Sequence, residues 1–219
     1  MATIGVCLSG CGFMDGAEIQ ESVITILALD KAGVDIVFMA PDINQRRVVN
    51  HQSGEEVNET RNVLVESARI TRGNVQNIKD INVNDLDALI FPGGFGAALN
   101  LSDFAIKGAG GTVNNDVENL IHDMIKLKKP IGIICIAPAM MAKAINTLKQ
   151  TANLTIGNDQ ATAEQIEKLG VTHTECLVQN IVIDSDMLLV STPAYMLGPR
   201  ISDVATGINK LVEEIVAMV

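Results

Sequence analysis

Cys135 stands where the apolar run Ile131–Ile134 ends and a helical pattern begins at Ala139. A thiol held at a strand end, beside a helix N-terminus, is placed to ionise because the helix dipole favours the thiolate. Ala137, two residues on, is small enough for the sharp strand-to-helix turn of a nucleophile elbow. The Ile136 amide is then available to stabilise charge developing on a substrate oxygen. A free cysteine is also commonly just buried, so residue type alone leaves both readings open.

A nucleophilic thiol needs a proton partner, and histidine is scarce, with only His51, His122 and His173. His51 lies in a polar stretch and His122 on a solvent-like helical face. His173 opens His173-Thr174-Glu175, which has the His-x-Glu form that ends a Cys-His-Glu triad. Each also reads simply as a surface histidine. Carboxylates are better placed. Glu18 and Glu21 are three apart, hence on one helix face, just after the loop Ser9-Gly10-Cys11-Gly12. A Glu buried beside a thiol has a raised pKa and can move a proton. Acids also suit first turns for the helix dipole alone, and that is the default on pattern alone. The Pro92-Gly93-Gly94 loop lets backbone amides approach a ligand closely. Cys11 is a candidate resolving thiol, while Cys7 and Cys176 read as structural.

Cofactors are not expected. Gly10-x-Gly12 meets Asp15 where a dinucleotide fingerprint needs glycine, Gly108-x-Gly110 meets Val113, and no Gly-Lys-Ser/Thr triplet exists. No Cys/His grouping has metal-ligand spacing.

These residues need a frame. Short apolar runs at Ile4–Leu8, Asp35–Met39, Ala88–Phe91 and Ile131–Ile134 read as strands. Helical spacing separates them, at Glu18–Ala32 (Ile19, Val23, Ile26, Leu27, Leu29, capped by Gly33), Val117–Leu127 and Ala139–Leu148. Ile181–Ile183 and Met187–Val190 flank the tight turn Asp184-Ser185-Asp186, a small β-hairpin. A last helix runs from Ile201 to Val216. Such alternation predicts an α/β fold: a doubly wound, mostly parallel sheet with helices on both faces. The polar stretch Asn44–Thr60 has no strong period. The Gly/Asn/Ser-rich stretch 97–115 is too short to divide the chain, so residues 1–219 are expected to form one domain.

The chain has 219 residues, 47% hydrophobic and 19% charged, an ordinary globular composition. A net charge of −10 and only 3% aromatics argue against nucleic acid and anionic membranes as partners. The longest apolar run is broken by Pro138 and is too short to span a bilayer. Four cysteines without close pairing, and no basic leader before the first strand, predict a reducing, cytoplasmic setting.

Several motifs together carry a resemblance. They are Leu8-Ser9-Gly10-Cys11-Gly12, Asp15-Gly16, Asn50-His51, Glu59-Thr60-Arg61-Asn62-Val63-Leu64, Ala68-Arg69-Ile70, Pro92-Gly93-Gly94-Phe95-Gly96-Ala97-Ala98, Cys135-Ile136-Ala137-Pro138-Ala139 and Thr192-Pro193-Ala194-Tyr195-Met196-Leu197. Over essentially its whole length the chain resembles the ElbB-type proteins of the ThiJ/PfpI branch, in the class I glutamine-amidotransferase-like superfamily. The resemblance implies a flavodoxin-like sandwich, commonly a homodimer, with Cys135 at the nucleophile elbow. It puts the acid near the thiol twelve residues before Gly33, at Glu21, with Glu18 second. It assigns the oxyanion amides to Gly94 and Ile136. It implies weak conversion of 2-oxoaldehydes to 2-hydroxy acids without glutathione, metal or other cofactor. The superfamily's triad histidine is missing, since its usual places hold Ile136 and the stretch Leu154–Asn158. Two other functions stand beside this one: a redox sensor or partner-binding protein using Cys135, with Cys11 resolving, and an amidotransferase-like hydrolase using His173.

Overall fold

The computed structural model describes residues 1–198 and 200–219. The first half runs β1 (Thr3–Cys7), α1 (Ile19–Ala32), β2 (Asp35–Ala40), the short strands β3 (Val49–Asn50) and β4 (Glu55–Glu56), α2 (Val63–Ile70), β5 (Gln76–Asn77), β6 (Ala88–Phe91), α3 (Phe95–Leu99) and α4 (Phe104–Lys107). Then come α5 (Asn115–Lys126), β7 (Ile131–Ile134), α6 (Ala137–Thr147), β8 (Asn153–Leu154), α7 (Gln160–Glu167), β9 (Thr172–His173), β10 (Val182–Asp184), β11 (Leu189–Thr192) and α8 (Ile201–Ala217).

Seven strands form one sheet in the order β10-β11-β7-β6-β1-β2-β5. Every pairing is parallel except the β10–β11 hairpin, the small hairpin expected from its turn residues. The fold is thus flavodoxin-like, a doubly wound α/β sandwich. Strands β6 and β7 are buried along their whole length, which their unbroken apolar runs require of strands covered on both faces. One covering layer packs α3, α5 and α6 through Ala97, Val117, Ile121, Met124 and Met140. The other sets α1 and α8 together through Leu29, Val204, Ile208 and Leu211.

Strand order reverses between β1 and β6: β1 leads outward to β2 and β5, whereas β6 leads the other way to β7 and β11. In such sheets the loops at the carboxyl ends part at this point and leave a crevice. Register brings the loops after β1, β6, β7 and β11 to one rim, with Val6 beside Ile90, Phe91 beside Ile133 and Ile134 beside Thr192.

Two elements differ from expectation. Helix α1 has the expected period, but Ile19, Val23 and Leu27 are 45%, 49% and 49% exposed. Its buried positions are Glu21, Ser22, Thr25 and Leu29. The buried hydroxyls satisfy themselves on the helix, Ser22 donating to the Glu18 carbonyl at 2.7 Å and Thr25 to the Glu21 carbonyl at 2.7 Å. The polar stretch 44–60 holds the two-residue ladder β3–β4, formed by a return of the chain that hydrophobic periodicity does not register.

Candidate active site

At the end of β7, Cys135 adopts φ +63°, the left-handed region that costs a non-glycine residue about 1–2 kcal/mol. Its own N–H is held by the Thr192 carbonyl at 2.9 Å, and the Ile136 carbonyl accepts from Ala139 at 3.0 Å. The turn thus lifts the side chain onto the rim, at the N-terminus of α6.

Glu21 sits in the first turn of α1 and is fully buried. One carboxyl oxygen accepts from the Gly93 N–H at 2.9 Å and the other from the Tyr195 N–H at 3.2 Å. The carboxyl lies beside the Cys135 thiol, close enough that each shifts the other's ionisation. Gly93 makes this meeting possible. A methyl group there would lie 2.4 Å from the Cys135 Cβ, 2.6 Å from the Glu21 Oε2 and 2.9 Å from the Ile134 carbonyl oxygen.

The loops are stitched together by backbone. Glu18 N–H donates to the Gly93 carbonyl at 2.9 Å, Phe95 N–H to Phe13 at 2.7 Å and Gly96 N–H to Gly16 at 2.9 Å. Gly94 must remain glycine here, since φ is +91° and an added methyl would sit 2.4 Å from the Glu18 nitrogen. The amides of Gly94 and Ile136 favour negative charge on the Cys135 sulfur.

Burial pushes the Glu21 carboxyl up to about 8, helped by the Glu18 carboxylate nearby. The N–H groups of Tyr195 and Gly93 and the Cys135 thiol pull it back only in part. Burial also raises the Cys135 thiol well above its ordinary value, and the Glu21 carboxylate raises it further; the Gly94 and Ile136 amides oppose this. The helix N-terminus therefore does not lower this thiol, contrary to the sequence expectation, because desolvation outweighs the nearby amides. At neutral pH a protonated carboxyl faces a thiol. Losing one proton leaves an anion that the two groups share.

Glu18 caps α1, its Oε2 accepting from the Glu21 N–H at 2.6 Å. It lines, with Cys135, a pocket of about 460 Å³. Phe13, Phe95, Ile136 and Met196 give the pocket apolar walls, and Tyr195, Asp159 and Thr162 complete it. Among the described residues no group of three or more His, Cys, Asp or Glu side chains is gathered as a metal would require.

The pocket walls do not include Cys11, which is half-buried beside Glu66, Arg69, Asp15 and Arg61. Cys11 therefore stands outside the walls of the pocket that Cys135 lines. None of the three histidines is a wall either. The His51 ring lies 3.0 Å from the Val49 carbonyl and accepts from the Met14 N–H at 3.3 Å. His122 bonds the Ala144 carbonyl at 2.9 Å. His173 lies on β9, paired with β8, so its His-x-Glu pattern is part of a peripheral ladder.

Sequence reasoning missed three contributors. Gly93 stood out only as part of a loop whose amides can approach a ligand, Tyr195 only within a motif, and Asp159 not at all. For Tyr195 a signal existed: Thr192-Pro193-Ala194 follows a buried strand, and Ala194 at φ +43° turns the next N–H toward Glu21.

Residues 11–194 match the DJ-1/PfpI family. The chain belongs to the DJ-1/PfpI family. Among relatives it is 38% identical to the rat "ES1 protein homolog, mitochondrial", covering 99% of this chain and 84% of that protein. It is 37% identical to the human "Glutamine amidotransferase-like class 1 domain-containing protein 3, mitochondrial", covering 99% and 83%. The crystal structure of an "isoprenoid biosynthesis protein with amidotransferase-like domain" from Ehrlichia chaffeensis superposes with a TM-score of 0.93 at 36% identity, covering 100% of this chain and 99% of that one. The resemblance to ElbB-type, glutamine-amidotransferase-like members of the DJ-1/PfpI family thus holds across sequence and fold. Among the described residues no helix is long and apolar enough to cross a membrane.

Proposed function

We propose that this DJ-1/PfpI protein is a cofactor-free glyoxalase-type lyase, turning 2-oxoaldehydes such as glyoxal and methylglyoxal into 2-hydroxy acids. One observation carries the reading: a fully buried Glu21 carboxyl packed beside Cys135 across Gly93, with the Gly94 and Ile136 amides favouring the thiolate.

In this reaction the Cys135 sulfur adds to the aldehyde carbon. The thiol proton passes to solvent as the carbon–sulfur bond forms, and the aldehyde oxygen takes the Glu21 proton to give a hemithioacetal. Glu21, now a carboxylate, removes the proton from that carbon to give an enediolate and returns it to the neighbouring carbon. The hydroxyl proton moves to the adjacent oxygen, leaving the thioester of the 2-hydroxy acid. Water cleaves the carbon–sulfur bond, releasing the acid and restoring thiol and carboxyl. The aldehyde carbon is oxidised as its neighbour is reduced, so no outside oxidant is needed. The Gly94 and Ile136 amides hold the oxyanions.

The test is lactate from methylglyoxal or glycolate from glyoxal, measured with no glutathione or metal present. Loss of product in Cys135→Ala supports the reading, and product at the wild-type level in that variant overturns it.

A second reading, reversible oxidation of Cys135 as a redox signal, draws on the same position at the pocket. It uses peroxide as oxidant, with sulfur losing two electrons and water leaving. Intact mass after mild peroxide tests it, and an unmodified Cys135 argues against it. All four cysteines are free, which supports a reducing compartment such as the cytoplasm. We also infer a homodimer, because α1 presents the apolar stripe Ile19, Val23 and Leu27 to solvent, a self-complementary kind of surface.

A further inference from the structure

We propose that Glu18 and Asp159 are charge-selecting residues, restricting the Cys135 pocket to uncharged substrates with an apolar body and excluding carboxylates and phosphates. The proposal rests on the glyoxalase reading for the reaction, but not for the selection itself.

Helices α1 and α7 both direct their N-termini to this pocket, since their capping residues Glu18 and Asp159 are among its walls. Helix N-termini ordinarily attract anions. Here each is occupied by a carboxylate of its own chain: Glu18 accepts from the Glu21 N–H at 2.6 Å, and Asp159 from the Thr162 N–H at 3.0 Å. The wall residues include no lysine, arginine or histidine. Arg47, with its guanidinium 5.6 Å from the Phe95 ring centroid, is tied to the Met14 carbonyl and is not a wall. An entering anion therefore meets two carboxylates and finds no cation to replace its lost water. A neutral carbonyl compound meets Phe13, Phe95 and Met196 instead. The free α-carboxylate of glutamine would be refused on the same grounds.

The experiment compares alkylation of Cys135 by neutral iodoacetamide and anionic iodoacetate, site-resolved by peptide mass spectrometry. Both reagents need the same thiolate, so their rate ratio at one pH is independent of the fraction ionised. The expected ratio exceeds that of a free small thiol by about tenfold, the effect of like charges several ångströms apart in a partly dry site. It should fall toward the free-thiol ratio in Glu18→Gln, Asp159→Asn and most of all in the double variant. Both replacements keep a cap acceptor for the helix amide. A native ratio equal to the free-thiol value, or one unchanged in the double variant, overturns the proposal. A parallel arm compares turnover of phenylglyoxal and 4-carboxyphenylglyoxal. Preference for the neutral compound supports the proposal, and equal turnover of both overturns it. If neither is turned over while the alkylation ratio holds, the glyoxalase reading fails and the charge selection stands.

Discussion

The Glu21 carboxyl and the Cys135 thiol, 114 positions apart in the chain, meet across Gly93, whose missing side chain leaves the space between them. The carboxyl is held on its other edges by the Gly93 and Tyr195 amides. Two backbone donors thus fix its orientation beside the sulfur.

Gly93→Ala should break this arrangement. The new methyl group would lie 2.4 Å from the Cys135 Cβ and 2.9 Å from the backbone oxygen of Ile134. Neither is the far end of a flexible side chain, so the loop must shift. Overpacking of this kind costs about 1–3 kcal/mol, or several degrees of melting temperature in a chain this size. Thermal unfolding checks the stability. Iodoacetamide labelling of Cys135 checks the site and should slow or accelerate by more than about threefold as the thiol's partners move apart.

Thiol reactivity should stay low through a step at about 8, where Glu21 ionises, and rise only above the ordinary thiol range, because burial and the new carboxylate hold Cys135 up. In Glu21→Gln that step should vanish. With the neighbouring negative charge gone, the thiol then ionises in a single step below its value beside an ionised Glu21. Lactate formation from methylglyoxal should fall by about 10²–10⁴-fold in the same variant, the usual worth of a general base. A labelling profile that keeps its midpoint in Glu21→Gln removes the carboxyl from the titration.

Glu21 also makes stability depend on pH. Folding raises its pKa from 4.5 to about 8. Between these values the folded chain keeps a proton that the unfolded chain has lost. Its contribution is full below pH 4.5 and is lost as pH rises through 8, at about 1.4 kcal/mol per pH unit within that window. Urea unfolding across pH 5–8 should show the wild type losing stability relative to Glu21→Gln. A constant difference between the two across that range would contradict the shift.

The α1 stripe makes a prediction about assembly. A charge at its centre, Val23→Glu, should turn a dimer into a monomer in sedimentation velocity while leaving the fold intact, because Val23 is 49% exposed. Sedimentation of the wild type as a monomer overturns the dimer.

Much of this was legible in the residues themselves. Apolar runs and helical spacing located β1, β2, β6, β7 and the long helices, because strands covered on both faces must be apolar throughout. Cys135 at a strand-to-helix junction was readable as an elbow for the same local reason, and its φ of +63° agrees. Periodicity could not say which side of α1 is buried. The apolar residues recur at helical spacing, yet the face toward the sheet carries Glu21, Ser22 and Thr25.

Local sequence determines which segments form strands and helices, and where one abruptly becomes the other, because those depend on neighbours a few residues away. The site depends on contacts between loops far apart in the chain. That Glu21 rather than Glu18 reaches the sulfur follows from the gap at Gly93 and the amide of Tyr195. That the thiol is raised, despite a helix N-terminus beside it, follows from burial, which only the assembled rim of four loops creates.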